Sequence, residues 1–352
     1  DYNTSGGGKY AEYYTPHSIA AIMAELLVGD NEDLHSVECY DPSAGTGTLL
    51  MALAHQIGED KCTIFSQDIS QRSNKMLKLN LILNGLVSSM DNVIQGDTLS
   101  EPYHKSDDGQ NLRQFDYVVS NPPFKMDFSD TREKLAKMPV RFWAGVPTVP
   151  KKDKSKMAIY PLFIQHVVNS LKKNGKGAIV VPTGFLTSKS GVEKKVLHHL
   201  VDEKIVSGVI SMPSNVFATT GTNVSVLFFD NSKKTEKVCL IDASKMGEEY
   251  KDGKNKKRRL RDEEIEQIVK VFRNKETVDD LSVAVTYDEI KKKRYSLAAG
   301  QYFDVKIEYI PLTPEEFKVK MDEYKKDLLK YFEENTKLEN EIIEQLNKVK
   351  YE

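Results

Sequence analysis

Residues 115–124 read Phe-Asp-Tyr-Val-Val-Ser-Asn-Pro-Pro-Phe and carry the strongest fold signal in the chain. The apolar run 115–120 is typical of a buried parallel strand. Asn121-Pro122-Pro123 cannot continue that strand, because two prolines remove backbone donors and fix φ. The stretch therefore predicts a stiff turn at the carboxyl end of a strand, which is where open α/β sheets place their ligands.

The predicted turn presents three groups to one point: the side-chain oxygen of Asn121, the carbonyl oxygen of Pro122 and the ring of Phe124. Two acceptors beside an aromatic ring suit a flat group that bears an NH2, such as adenine, cytosine or a primary amide. The alternative is a plain loop, since Asn-Pro and Pro-Pro also mark loops. The upstream residues favour the first interpretation, because a nucleotide-type site precedes the turn in the expected order.

Composition places the chain among ordinary proteins with a sizeable core. It has 352 residues, of which 29% are charged and 39% hydrophobic, enough for one large α/β domain and an appendage. No apolar run approaches the roughly 18 residues of a membrane span, and the first residues do not resemble a signal peptide. The absence of a starting Met suggests that a preceding domain is missing from this sequence.

The cysteines and the charge balance limit the classes of partner. Cys39, Cys62 and Cys239 lie far apart without CxxC or Cys-His spacing, so we expect core thiols in a reducing cytoplasm and no metal site. The net charge is −2, whereas a protein that holds DNA alone usually has a marked basic excess. A DNA substrate would therefore require basic residues focused on one face, or a partner that supplies much of the contact.

Strand and helix patterns alternate, which predicts a doubly wound, largely parallel sheet with an antiparallel edge. The predicted strands are Val37–Asp41, Thr63–Gln67, Asn92–Gln95, Asp116–Ser120, Gly175–Pro182, Val206–Ser211 and Val224–Asp230, the last as a hairpin strand. The predicted helices are Ser18–Leu27, Leu49–Ile57, Ser70–Asn84, Ile159–Lys172 and Asp262–Arg273. We expect a catalytic domain at 1–245, charged and short elements at 246–313, and a helical arm at 314–352.

Two charged segments have open interpretations. Residues 251–261 form a predicted charged loop, and its basic cluster is either solvated surface or a contact to a nucleic-acid backbone. From Pro314 onward, apolar residues recur in steps of four and three, which is a heptad seam. Its members are Phe317, Met321, Tyr324, Leu328, Tyr331, Asn335, Leu338 and Ile342. This helix either packs on its own domain or forms a coiled-coil arm for a partner.

A second motif, Asp41-Pro42-Ser43-Ala44-Gly45-Thr46-Gly47-Thr48, lies between the first strand and its helix. Gly45 and Gly47 permit close backbone approach, and the helix start supplies N–H groups for a carboxylate. Asp68 ends the second strand, where a carboxylate can accept hydrogen bonds from both ribose hydroxyls. Asp97 follows the third strand, where it is placed to accept an amino hydrogen from a bound adenine. Each acid alone is more often a turn or cap residue, but three at successive strand ends favour a nucleotide-type site.

Upstream, Tyr13-Tyr14-Thr15-Pro16 precedes the first helix. Thr15 is placed to cap that helix, with Pro16 at its first position. The functional alternative is that Thr15 and an aromatic wall line the amino-acid end of a cofactor.

The order of these motifs resembles that of the S-adenosylmethionine-dependent DNA amino-methyltransferases, and more closely that of the modification subunit of type I restriction-modification systems. The resemblance covers residues 9–305 and continues through residues 171–177, 212–217 and 241–244. Thr48 departs from the family, which commonly has a small residue or glycine there. Family members usually have a helical domain before the catalytic one.

The resemblance implies a Rossmann-like methyltransferase that moves a methyl group from S-adenosylmethionine to N6 of a flipped-out adenine in DNA, leaving S-adenosyl-L-homocysteine. It also implies a specificity subunit, a second modification subunit and a restriction subunit. The candidate catalytic residues are Asn121, Pro122, Pro123 and Phe124. The candidate cofactor-binding residues are Tyr13, Tyr14, Thr15, Pro16, Asp41, Ser43, Gly45, Thr46, Gly47, Thr48, Asp68 and Asp97.

Three alternatives remain at this point. Asn-Pro-Pro-aromatic also occurs in glutamine-amide protein methyltransferases and in some RNA methyltransferases, and the fold alone would suit a non-catalytic DNA-binding scaffold. The choice of adenine N6 rather than cytosine N4 as the methyl acceptor rests mainly on the resemblance. Residues 125–157 are interpreted as a lid over the flipped base, as a loop that contacts phosphate, or as a mobile surface loop.

Overall fold

The structure is a computed structural model that describes residues 15–29, 33–217, 223–252, 255–304 and 313–348. The chain divides into two compact units, residues 1–303 and residues 304–352. No helix in the described ranges combines the length and apolarity needed to cross a membrane.

The first part of the larger unit alternates short strands and helices, as the sequence predicts. The strands are β1 (Val37–Asp41), β2 (Cys62–Asp68), β3 (Val93–Gln95) and β4 (Phe115–Ser120). The helices are α1 (His17–Val28), α2 (Thr48–Ile57) and α3 (Gln71–Leu83). Each predicted element of this part is found at nearly the predicted boundaries, because its hydrophobic period and its terminal residues agree.

The second part adds more strands and the remaining helices of this unit. Its helices are α4 (Arg132–Ala136), α5 (Tyr160–Asn169), α6 (Gly191–Asp202), α7 (Asp262–Asn274) and α8 (Tyr287–Lys292). Its strands are β5 (Leu171–Pro182), β6 (Val206–Ser211), β7 (Val224–Asp230), β8 (Lys237–Asp242), β9 (Glu248–Asp252), β10 (Asn255–Arg259) and β11 (Ser282–Thr286).

Among the described residues, nine strands form one sheet in the order β11-β8-β6-β7-β5-β4-β1-β2-β3. Strands β5, β4, β1, β2 and β3 are parallel, β7 is antiparallel to both β5 and β6, and β11 is antiparallel to β8 at one edge. Apolar residues of α1, α2, α3 and α7 pack on one face, and those of α5, α6 and α8 on the other. The predicted doubly wound sheet with an antiparallel edge is confirmed.

The three cysteines lie in the apolar interior, as predicted. Cys39, Cys62 and Cys239 are free and buried. Burial raises the pKa of the Cys239 thiol to about 12, so this side chain behaves as a small apolar group.

Two predictions of local structure were wrong. The helix predicted to reach Lys172 ends at Asn169, because Leu171 is fully buried and pairs with Phe115 of β4. The segment 251–261 is not a loop over most of its length: β9 and β10 form an antiparallel hairpin in which Arg258 lies opposite Glu249 and Arg259 opposite Glu248. Opposite charges on facing positions stabilise such a pair of strands.

The smaller unit contains one long helix, α9 (Pro314–Lys348), as predicted. None of its described residues is buried, and the seam residues Phe317, Tyr324 and Leu328 are each more than half exposed. Asn335, the polar residue in the seam, donates to Glu339 at 2.8 Å.

Candidate active site

The candidate residues converge because four parallel strands are neighbours. In the order β4-β1-β2-β3, the carboxyl ends of the strands lie at one edge of the sheet. Asp41 is the last residue of β1 and Asp68 the last residue of β2. Asp97 follows β3, and Asn121 directly follows β4. The topology therefore brings three carboxylates and the Asn-Pro-Pro-Phe turn to one edge.

The loop after β1 is tied to both neighbouring strands. The backbone N–H of Gly45 donates to Asp68 Oδ2 at 2.9 Å. On the other side, the hydroxyls of Ser43 and Ser120 are 2.7 Å apart, and Ser43 N–H donates to Asp41 Oδ1 at 2.8 Å. Ser120 was not among the predicted site residues, although its place before Asn121 puts it beside this loop.

The two glycines of this loop have different roles. Gly47 has φ +86°, and a Cβ there would lie 2.2 Å from Leu77 Cδ1, so close packing against α3 excludes a side chain. Gly45 has φ +52°, and no atom of the described residues lies within 4 Å of where a Cβ would stand. Its backbone therefore faces a free volume, which suits the approach of a ligand. Helix α2 starts at Thr48 without a side-chain cap on its first turn.

Asp41 has an unusual environment for a carboxylate. It is almost completely buried, and burial raises its pKa to about 8, with a further raise from the nearby Asp68 and an opposing effect of the Ser43 N–H. Near neutral pH, Asp41 is therefore largely protonated in the unliganded protein. A cationic group bound at this edge would favour its ionised form.

Asp68 and Asp97 differ in their hydrogen-bond partners within the protein. Asp68 accepts from Gly45 N–H and, at 2.8 Å, from Ser70 N–H. Asp97 accepts from the N–H of Leu99 at 2.9 Å and from the hydroxyl of Ser100 at 2.6 Å, both within its own turn. Asp97 thus stabilises a turn, as the plain interpretation predicts. An ionised carboxylate retains further acceptor capacity, so a ligand contact remains compatible with this geometry.

The amide of Asn121 is oriented by one contact. Its Nδ2 donates to the hydroxyl oxygen of Thr15 at 2.9 Å. Thr15 is buried and does not cap α1 as predicted; the cap position is Pro16, without a side-chain hydrogen bond. Since the nitrogen end of the amide is bound to Thr15, Oδ1 is left as an acceptor. Tyr13 and Tyr14 lie outside the described residues.

Both predicted acceptors are without a donor in the described part of the chain. No described residue donates to Asn121 Oδ1 or to the carbonyl oxygen of Pro122. Pro122 is a buried residue and Asn121 a half-buried one. This pair of acceptors fits a ligand with an NH2 group at the turn.

Behind the turn, aromatic rings support Phe124. The half-buried Phe124 meets Tyr160 edge-to-face at 6.3 Å between ring centroids, and Tyr160 meets Phe185 in the same way at 5.8 Å. The Tyr160 hydroxyl donates to Glu193 Oε1 at 3.0 Å. Such edge-to-face pairs fix the plane of the Phe124 ring. Tyr160 and Phe185 were not predicted, since neither lies near the motif in sequence.

The segment that follows the turn is a packed lobe, which we define as residues 125–157. Its two ends are held together, because Met126 N–H donates to Met157 O at 3.0 Å and Ile159 N–H donates to Phe124 O at 3.1 Å. Apolar side chains of the lobe, among them Phe128, Leu135 and Phe142, are buried in the core. The interpretation as a mobile surface loop was therefore wrong: the lobe is part of the fold.

Arg141 anchors the lobe to the site edge. Its buried guanidinium donates to Leu99 O and to Thr98 O, each at 2.7 Å, and to Nδ1 of His166. Burial, followed by the charge of Arg141, holds the pKa of His166 well below its usual value, so this ring is neutral and accepts at Nδ1. His166 Nε2 lies 3.1 Å from the Tyr40 hydroxyl, on β1. No sequence pattern indicates this network.

Comparison with known proteins agrees with this geometry. The family model for N-6 DNA methylases matches residues 1–309. The chain belongs to the N-6 DNA methylase family. It is 29% identical to the type I restriction enzyme MpnII methylase subunit of Mycoplasma pneumoniae over 87% of this chain and 55% of that protein. It is also 29% identical to the MjaIX methylase subunit of Methanocaldococcus jannaschii over 97% of this chain and 59% of that protein.

Solved structures give the same result for the fold. The type I restriction-modification methyltransferase subunit from Streptococcus thermophilus superposes with a TM-score of 0.69 at 26% identity, covering 84% of this chain and 60% of that chain. The chain spans little more than half the length of the MpnII and MjaIX methylase subunits. The predicted family and fold class are confirmed.

Proposed function

We propose that this N-6 DNA methylase domain transfers a methyl group from S-adenosylmethionine to N6 of adenine in DNA, as part of the modification subunit of a cytoplasmic type I restriction-modification complex. The observation that carries the proposal is the pair of acceptors, Asn121 Oδ1 and the Pro122 carbonyl oxygen, beside three carboxylates at adjacent strand ends. The family membership of the chain supports the reaction class.

The residues present fit the proposed cofactor. The free volume at Gly45 admits a ligand close to the backbone, and the carboxylates Asp41 and Asp68 complement the positive charge of S-adenosylmethionine. We assign Asp41, Ser43, Gly45, Thr46, Gly47 and Thr48 to its amino-acid end together with Thr15 and Pro16, Asp68 to the ribose, and Asp97 to the adenine. When bound, S-adenosylmethionine supplies an electrophilic methyl group.

The protein acts on the target base by positioning and by its two acceptors. The lone pair of the adenine N6 is delocalised into the ring, so the free amino group is a poor nucleophile. When Asn121 Oδ1 and the Pro122 oxygen each accept one N–H, the lone pair turns toward the methyl group and the growing positive charge is stabilised. The nitrogen–carbon bond forms as the sulfur–carbon bond breaks, and the surplus proton passes to solvent.

Adenine N6 is paired in duplex DNA, so the base must leave the stack to reach the turn. Phe124, held in plane by Tyr160, stacks on the flipped base. Contacts of this kind are worth about 1–3 kcal/mol per base.

Transfer of labelled methyl groups tests the reaction. The full-length protein, assembled with its specificity subunit, is incubated with S-adenosylmethionine carrying a labelled methyl group and with unmethylated DNA. We expect label in DNA as N6-methyladenine, identified by mass spectrometry of the nucleosides. Label in N4-methylcytosine would correct the target base. Label in protein or RNA instead of DNA would favour the amide or RNA methyltransferase alternative, and no transfer at all would favour a scaffold.

The raised pKa of Asp41 gives a pH dependence of cofactor binding. Because the carboxyl is protonated below about pH 8 and the bound cofactor favours its ionised form, binding releases a proton. The affinity should therefore rise with pH up to about 8, by at most about tenfold per pH unit. Calorimetry in buffers of different ionisation enthalpy measures the released proton. Asp41→Asn should remove both the proton release and the pH dependence; a pH-independent wild-type affinity would contradict this assignment.

The raised pKa of Asp41 also affects the stability of the unliganded protein. Cofactor affinity rises with pH, whereas this contribution to stability falls. The folded, unliganded protein holds a proton on Asp41 that the unfolded chain loses above its pKa of 3.8. The contribution of Asp41 to stability therefore falls as the pH rises from about 4 toward 8.

We assign the exposed seam of α9 to the specificity subunit. Deletion of residues 314–352 should abolish co-purification with that subunit while cofactor binding, measured by calorimetry, stays unchanged. A matched control keeps the helix but replaces Lys318, Lys325 and Lys337, which lie off the seam, by Gln; this variant should still assemble. Assembly of the deletion variant would show that other surfaces hold the partner.

A further inference from the structure

A cleft of about 960 Å³ lies between the lobe and the start of α6. One wall is formed by residues 144–148 of the lobe, and the other by residues 189–203 of α6 and its approach. Trp143 of the lobe stacks on His199 of α6 at 3.8 Å between ring centroids, which fixes the two walls against each other. We call this space the lysine cleft, after Lys189, Lys194 and Lys195, which line it.

The positive charges of the lysine cleft are not neutralised by the protein. Lys189, Lys194 and Lys195 are exposed, and none of their side chains forms an ion pair or hydrogen bond with a described residue. The acidic residues of the cleft have partners of their own. Asp202 pairs with Lys291 at 2.9 Å and Glu203 with Lys233 at 2.6 Å. The cleft therefore presents a net positive wall in a chain whose net charge is −2.

In the β9–β10 hairpin, by contrast, the arginines of the basic cluster are paired with acidic side chains. Arg258 pairs with Glu249 at 2.9 Å and Arg259 with Glu248 at 2.5 Å, while Arg261, which follows β10, pairs with Glu264 at 2.9 Å. These arginines are used to stabilise the hairpin and the start of α7. Among the described side chains, these three arginines have acidic partners, whereas the three lysines of the cleft do not.

The lysine cleft is also connected to the catalytic turn. Glu193, which neighbours Lys194 in the first turn of α6, accepts from the Tyr160 hydroxyl at 3.0 Å. Tyr160 in turn packs against Phe124 at 6.3 Å. Two side chains, Glu193 and Tyr160, therefore connect the helix that lines the cleft with the ring proposed to stack on the target base.

We propose that the lysine cleft binds the phosphodiester backbone of the target strand next to the flipped adenine. This inference rests on the proposed function, since the flipped base at Phe124 determines which part of a nucleic acid reaches the cleft. Backbone contacts fix the position of a nucleic acid without reading its sequence. The cleft therefore holds the strand while the base is out of the stack, and Lys189, Lys194 and Lys195 neutralise its phosphates.

The test compares two triple variants with equal changes of charge. In the first, Lys189, Lys194 and Lys195 are replaced by Gln. In the control, Lys75→Gln, Lys270→Gln and Lys292→Gln remove three exposed lysines on α3, α7 and α8. Both are made in the full-length protein assembled with its specificity subunit, and thermal unfolding verifies the fold. Binding to a fluorescent DNA duplex is measured by anisotropy between 50 and 200 mM salt, separately from methyl transfer.

We expect the cleft variant to bind the duplex roughly tenfold or more weakly at low salt. Its plot of log K against log salt should be less steep by about 2–3, since each lost phosphate contact removes about 0.9 from the slope. The control should keep the wild-type slope, and cofactor affinity and kcat at saturating DNA should be unchanged in both variants.

Two results would overturn the proposal. One is an equal slope of log K against log salt for the cleft variant and the control. The other is a lower kcat with an unchanged slope, which would show that the lysines stabilise the Asn-Pro-Pro-Phe turn instead of binding DNA. Failure of the proposed function looks different. In that case the wild type transfers no methyl group to DNA, while the binding slopes still report whether the cleft holds a nucleic-acid backbone.

Discussion

Asn121→Ala should lower methyl transfer to DNA by about 10²- to 10³-fold. The substitution removes one of two acceptors placed where positive charge develops, and the loss of a comparable preorganised group costs about 2.7–4 kcal/mol in other enzymes. The backbone of the turn is fixed by Pro122 and Pro123, so the change should act on kcat and leave the affinity for S-adenosylmethionine unchanged. Single-turnover kinetics with labelled cofactor and calorimetry measure the two quantities.

Thr15 provides a comparison, because its hydroxyl accepts from the nitrogen end of the same amide, and cofactor affinity is measured for these variants as well, since Thr15 is also assigned to the cofactor. Thr15→Val removes the acceptor that holds Asn121 Nδ2 and should reduce kcat by a smaller factor, since the amide can rotate away. Thr15→Ser keeps the hydroxyl and should restore activity. If Asn121→Ala retained wild-type turnover, the assignment of the turn as the catalytic centre would be wrong. If Thr15→Ser lowered activity as much as Thr15→Val, Thr15 would act through packing rather than through its hydrogen bond.

Arg141→Met should destabilise the protein by about 3–5 kcal/mol. Removing the guanidinium leaves three buried acceptors, Leu99 O, Thr98 O and His166 Nδ1, without a donor, and the loss of one partner from a buried charged network has costs of this size. Arg132→Met is the control in the same lobe. Arg132 pairs with the exposed Glu133 and makes one long hydrogen bond, to Pro147 O at 3.3 Å, so its loss should cost no more than about 1.5 kcal/mol. Urea unfolding at pH 7.5 measures both free energies.

A double variant separates the network from simple loss of packing. In Arg141→Met combined with His166→Leu, both partners become apolar, so the total cost should be less than the sum of the single costs. Strict additivity would show that the two side chains do not act as a unit.

Because the pKa of His166 is depressed in the folded state, the unfolded chain binds a proton that the folded chain does not. The wild type should therefore lose stability as the pH falls below about 6.5, and His166→Leu should lose less.

The parallel half of the sheet was predictable because its signals are local. Buried runs such as 37–41 and 115–120 match the strand period, and the helices between them have clear ends. The cofactor and target motifs follow these strands directly, so their clustering follows from parallel pairing alone. The wrong predictions concern segments whose secondary structure depends on residues that are distant in sequence. Leu171 became a strand residue because Phe115 lies beside it, and residues 255–259 became a strand because glutamates of β9 face their arginines.

By itself, the amino-acid sequence indicated the fold class, the order of the candidate site residues along the strands and the chemistry that we propose for the Asn-Pro-Pro-Phe turn. These properties depend on residue type and short spacing. The tertiary structure alone decided which end of the Asn121 amide contacts Thr15, that Arg141 fastens the lobe, and that the lysine side chains of the cleft have no acidic partner among the described residues. The physical reason is the same in each case: hydrogen bonds and charge pairs depend on which side chains meet across the fold, and residues 106 positions apart, such as Thr15 and Asn121, meet only when the sheet is complete.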